Sequence, residues 1–104
     1  GSNYLIAGAQ DEYGVSEFDK LWNPHARPER PEAYYDKAEE QMVSCCKSFV
    51  EKYPSIGAIM LECTGMQPFA RAIQREIDLP VFSWGTLLDY AYSVVAHRDY
   101  YGHV

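Results

Sequence analysis

The chain has no apolar run long enough to span a bilayer, no long run of like charges, no internal repeat and no low-complexity segment. A transmembrane helix and a polyelectrolyte tail are therefore not expected. The N-terminus lacks a basic segment leading into an apolar core, so it does not read as a signal peptide. Basic residues are few: nine Lys and Arg face fifteen Asp and Glu, a net charge of −6. That balance argues against a nucleic-acid backbone or an anionic membrane as partner. Cysteine is scarce too. There are three, two of them adjacent (Cys45, Cys46), with no CxxC and no histidine pair at ligand spacing, while His25, His97 and His103 are scattered. A disulfide framework and a structural metal are not expected, and a reducing, cytoplasmic setting is.

What the chain does have is enough apolar sequence for a core, 47% hydrophobic and 14% aromatic over 104 residues. It reads as one small domain over residues 3–104, with Gly1-Ser2 set aside as a tag-cleavage remnant. Tyr4–Ala9 (YLIAGA) is apolar and β-compatible and reads as a strand, with a loop over Gln10–Val15. Ser16–Trp22 reads as a short helix, with Glu17 and Asp19 in its first turn and Phe18, Leu21 and Trp22 packed together. Asn23–Pro31, with three prolines, reads as an exposed loop whose Arg27 and Arg30 are free to meet solvent or an acidic ligand.

Glu32–Lys52 is the clearest helix, apolar along Ala38, Met42, Cys45, Cys46, Phe49 and Val50. Its two cysteines read as small packing hydrophobes. Ile56–Leu61 is a charge-free second strand. Gln67–Ile77 is a helix with Phe69, Ala72, Ile73 and Ile77 at helical spacing. Pro80–Ser83 is a third strand, and a last helix, capped by Ser83 or Thr86, carries Leu87, Leu88, Ala91, Val94 and Val95. Strands joined by helices predict an α/β fold: about three parallel strands flanked by helices in three layers.

The stretch IGAIMLECTGMQP (Ile56–Pro68) puts Cys63 where the second strand ends and a helix begins. Open α/β sheets carry their chemistry at that place. A thiol at a helix start is eased toward its thiolate. The Thr64 and Gly65 amides and the Thr64 hydroxyl are suited to an anion, and Gly65 lets a ligand approach the backbone closely. One turn thus brings together a base (Cys63) and a carboxylate site (Thr64, Gly65). Strand alternation turns Glu62 to the opposite side.

From about Tyr53 onward, YPSIGAIMLECTGMQPFARAIQREIDLPVFSWGTLLDYAYSVV resembles the C-terminal part of the aspartate/glutamate/hydantoin racemase superfamily. The resemblance rests on Leu61-Glu62-Cys63-Thr64, on Met66-Gln67-Pro68-Phe69 and on Leu79-Pro80-Val81-Phe82. A weaker match runs from Ala9-Gln10-Asp11 to Phe18. It implies one partial lobe of a two-lobed α/β fold with the active site between the lobes. It implies chemistry without pyridoxal phosphate or other cofactor, in which one cysteine per lobe exchanges the α-proton of a small carboxylate-bearing substrate. Cys63 matches the C-terminal-lobe cysteine and Thr64 the carboxylate-holding residue; Gly65 stands where similar sequences commonly carry asparagine.

The chain has no match to the N-terminal lobe or its cysteine, so the expectation is a segment of a racemase, isomerase or decarboxylase, inactive or incomplete alone. The alternative is a non-catalytic α/β interaction domain that self-associates through open sheet edges and bare helix faces. A cysteine hydrolase is disfavoured, because no histidine lies near Cys63 in sequence.

Overall fold

The computed structural model describes residues 3–25 and 34–102. In chain order the elements are α1 (Ala9–Tyr13), α2 (Ser16–Trp22), α3 (Tyr35–Lys52), β1 (Ile59–Met60), a 3-10 segment (Thr64–Phe69), α4 (Ala70–Ile77), β2 (Val81–Phe82) and α5 (Trp84–Val95).

The first element departs from expectation. Tyr4–Ala9 forms no strand: Tyr4, Leu5 and Ile6 are exposed, and β-propensity without a partner strand to pair against does not make a ladder. The acidic stretch expected to be loop instead makes α1. Glu12 Oε1 accepts the Gly8 amide at 3.0 Å, satisfying a donor left open at the helix start. Gly14, at φ 63° and ψ 38°, ends the turn in the left-handed region that glycine enters without penalty.

Helix α2 spans the expected residues but is capped from elsewhere. Val15 precedes it and offers no capping oxygen. Gln41 of α3 supplies one: its Oε1 accepts the Glu17 amide at 3.1 Å, and its Nε2 donates to Ser16 Oγ at 2.9 Å. The side chains of Leu21 and Trp22 lie outside the described ones, as do residues 26–33 with Arg27 and Arg30.

Glu17, expected merely to favour the helix dipole, is fully buried. Its carboxylate accepts from Lys20 Nζ at 2.9 Å and the Tyr34 amide at 3.1 Å, with Lys37 Nζ at 3.5 Å. The first two hydrogen bonds are the main cause of a carboxyl held below its usual range. The bond to Tyr34 also fixes where α3 begins. Tyr34 is held extended as its N-cap, and the expected start of this helix at Glu32 lies outside the described residues.

A lowered folded value means that Glu17 contributes stability above the unfolded carboxylate value, about 4.3. That contribution is lost as pH falls through the folded value. Glu17→Gln is expected to lower the thermal midpoint at neutral pH and to flatten its decline between about pH 5 and the acid limit of the native state. Calorimetry across that range checks both.

The core is helical. Ala38, Met42 and Cys46 of α3 meet Ile73 of α4, Phe69 of the 3-10 segment, Phe18 of α2 and Ile59 and Leu61 around β1. Phe18 and Phe69 stack edge-on with centroids 5.8 Å apart, and Tyr13, Phe49 and Tyr53 continue the aromatic packing at 6.1 and 5.5 Å.

The expected three-stranded, three-layered α/β fold is not what forms. The described residues contain two parallel strands of two residues, Ile59 opposite Val81 and Met60 opposite Phe82, within a predominantly helical domain. Pro80 accepts the Ile59 amide at 2.9 Å but has no N–H to extend the ladder, and Leu61 N–H to Phe82 O at 2.8 Å closes it. Only one sheet face is covered. Ile59 is buried while Met60 is 76% exposed and Phe82 54% exposed, so the charge-free run of Ile56–Leu61 marks a half-buried strand.

Helix α5 is a further departure. Its start is well made: Ser83 Oγ accepts the Thr86 amide at 3.4 Å, and Thr86 Oγ1 accepts the Ser83 amide at 3.0 Å, a capping box that uses both expected residues. Yet none of its residues is buried, and Leu87, Leu88, Val94 and Val95 all face solvent.

Candidate functional site

Cys63 follows β1 in extended conformation (φ −77°, ψ 132°) and caps the 3-10 segment. The strand pattern carries on through it, with Leu61 buried, Glu62 exposed and Cys63 half-buried, so Glu62 does turn away. The thiol is free. Beside it lies Gly65: a Cβ placed there would sit 3.6 Å from Cys63 Sγ and 3.6 Å from Phe18 Cε1. The Cys63 thiol and the Phe18 ring edge thus both border Gly65. Phe18 itself belongs to the hydrophobic core, as its spacing predicts.

Thr64 and Gly65 are the exposed first residues of the 3-10 segment. Amides at a helix start lack intrahelical acceptors, so these two are available to an anion. The segment closes with Met66 N–H on Cys63 O at 3.0 Å. Pro68 O accepts the Tyr35 hydroxyl at 3.2 Å, tying the segment to α3.

Two further contacts anchor the turn. The Trp84 indole N–H donates to Glu62 O at 2.6 Å, and the Gly85 amide donates to Gln67 Oε1 at 3.0 Å. Both come from the start of α5, 22 and 18 residues away in sequence.

The other thiols differ. Cys46 is buried in the core, and its hydrogen bond to Cys45 together with burial pushes the thiol far above the usual range. It stays protonated and packs. Cys45 is half-buried, held below the usual thiol range by the hydrogen bond to Cys46, and opens on a cavity of about 250 Å³ lined by Tyr13, Glu40, Gln41, Ser44 and Ser48. It sits within α3, where backbone amides are spent on the helix and none is left for a carboxylate. A second cavity, about 360 Å³, lies between α4, β2 and α5 and is lined by Gln67, Arg71, Gln74 and Thr86 among others.

Among the described residues no group of three or more His, Cys, Asp or Glu is placed to hold a metal ion, and no helix is long and apolar enough to cross a membrane. No protein-family model matches the chain, and no solved structure matches it. Over 61 residues the chain is 30% identical to dimethylsulfoniopropionate lyase 5 of Emiliania huxleyi (strain CCMP1516). The match covers 59% of this chain and 12% of that protein, so the chain corresponds to a small part of the relative's length.

Proposed function

We propose that the chain carries the thiol half of a proton-transfer site acting at the carbon α to a carboxylate. The observation that carries this reading is the half-buried free thiol of Cys63 at the end of β1, beside the open amides of Thr64 and Gly65. The Thr64 and Gly65 amides and the Thr64 hydroxyl hold the substrate carboxylate. The Cys63 thiolate takes the α-proton, leaving an enolate-like carbanion whose charge spreads onto the carboxylate near those donors.

Two fates of that carbanion agree with what supports the reading. Reprotonation on the opposite face gives racemisation, the chemistry the resemblance implies, with no cofactor. Expulsion of a β-substituent gives a lyase. On dimethylsulfoniopropionate the carbanion pair forms the Cα–Cβ double bond, and the Cβ–S bond breaks with its electrons staying on sulfur. Acrylate and dimethyl sulfide result, and the proton remains on Cys63 until solvent removes it. The similarity to a dimethylsulfoniopropionate lyase supports this second fate.

Inversion needs an acid on the other face of the substrate, and neither Cys45 nor Cys46 on α3 supplies one. Alone, the chain is expected to exchange α-protons slowly without inverting configuration, and a second acid comes from another segment or another subunit. The setting we propose is cytoplasmic, where the thiols stay reduced. The test is incubation with aspartate, a hydantoin and dimethylsulfoniopropionate in D₂O. Deuterium entering the α-carbon, or dimethyl sulfide released, supports the reading; neither appearing at high protein concentration rejects it for this chain.

A second reading is favoured by one observation, an apolar α5 none of whose residues is buried. A helix that is apolar and uncovered is a candidate for burial in an assembly, so we also propose self-association through α5. Sedimentation is expected to show a dimer at micromolar concentration that Leu88→Glu dissociates; a wild-type monomer throughout would reject it.

A further inference from the structure

The turn that carries Cys63 is held at both ends by a single neighbouring feature, the first two residues of α5. Glu62, just before the thiol, gives its carbonyl to the Trp84 indole N–H at 2.6 Å. Gln67, four residues after the thiol, gives its side-chain carbonyl to the Gly85 amide at 3.0 Å. Between these two anchor points lie Cys63, Thr64 and Gly65. The Gly85 amide belongs to the first turn of α5 and has no acceptor within its own helix, so Gln67 completes that helix end while α5 pins the turn. A Cβ at position 85 would overlap the end of the Gln67 side chain, which would have to swing away and give up its bond to the Gly85 amide. Because no side chain of α5 is buried, this pair of contacts is prominent among the links between α5 and the rest of the fold.

We propose that Gln67 and Trp84 are positioning residues that set the geometry of the Cys63 thiol, and that Gly85 is required so that Gln67 reaches the α5 amide. The catalytic consequence rests on the proton-transfer reading of Cys63; the geometric one does not. The test therefore has two readouts. The first is the rate of Cys63 alkylation by iodoacetamide, resolved by peptide mapping with Cys45 as internal reference. The second is α-proton exchange in D₂O.

Gly85→Ala and Trp84→Phe are each expected to change the Cys63 alkylation rate by about 2- to 10-fold, the range that one hydrogen bond's net contribution spans, with Cys45 unchanged. Exchange is expected to fall by up to about 100-fold, as for a catalytic group misplaced by an ångström. The decisive comparison is Gly85→Ala in a Gln67→Ala background. With the carboxamide gone, the added methyl has nothing to strike, and alanine in a helix is favoured over glycine. There Gly85→Ala is expected to leave Cys63 alkylation unaltered and to raise the thermal midpoint, whereas in the parent chain it displaces the Gln67 carboxamide and changes the Cys63 alkylation rate. Equal effects in the two backgrounds, or Cys63 and Cys45 alkylation rates moving together, would overturn the proposal. Wild-type chain without exchange but with the expected alkylation pattern would reject the proton-transfer reading and leave the brace standing.

Discussion

Cys63→Ser is expected to abolish thiol-dependent α-proton exchange, lowering the rate by about 10²- to 10⁴-fold, the range attributed to a positioned general base. Serine nearly preserves the size of the side chain and its place beside Gly65, so fold and ligand access are retained. Only the basicity changes, because an alkoxide is not populated near neutral pH. Cys46→Ser tests the opposite case. It places a hydroxyl in the core and costs stability, and exchange per folded molecule is expected to be unchanged. Cys45→Ser, on the rim of a cavity lined from α1 and α3, is expected to alter neither exchange nor the alkylation of Cys63. Loss of exchange in Cys45→Ser, with Cys63→Ser still active, would move the chemistry to α3. NMR of the α-proton signal in D₂O reads all three variants.

The place of Cys63 was legible because the signal is local: an apolar run, a cysteine, then Thr-Gly and a helical pattern. Helices α2 and α3 were legible for the same reason, since Ala38, Met42 and Cys46 recur at the helical period and the core takes that face. What the sequence did not disclose depends on partners far along the chain. Glu17 looks like an ordinary first-turn acid, and only the approach of Lys37 and Tyr34 makes it a buried hub. Gln67 looks like a surface glutamine, and Gly85 like a helix-weakening residue, until the α5 start is brought against the 3-10 segment. The strand expected at Tyr4–Ala9 failed in the same way. Its composition suits a strand, but a strand exists only as a paired object, and the described sheet stops at two. With it went the three-layered α/β arrangement, because helices cover one face of the sheet and leave Met60 and Phe82 bare.

The apolar residues of α4 and α5 are indistinguishable by hydropathy, and substitution separates them. Ile73→Ala is expected to cost about 2–5 kcal/mol, because Ile73 is fully buried in the core and its close-packed neighbours cannot fully close the void. For 104 residues the whole folding free energy is about 5–15 kcal/mol, so this one change removes a large share of it or unfolds the domain. Leu88→Ala deletes a comparable volume from a side chain that is 65% exposed, and in the monomer its cost is expected to stay within about 0.5 kcal/mol. Urea denaturation of both variants gives the comparison directly, and repeating it at rising protein concentration adds a second result. Self-association through α5 would stabilise the native state by mass action, so the cost of Leu88→Ala would grow with concentration while that of Ile73→Ala would not. A cost for Leu88→Ala equal to that of Ile73→Ala at the lowest concentration would mean that α5 packs onto the domain in solution. A small cost at every concentration would mean that neither the domain nor a second copy covers this helix.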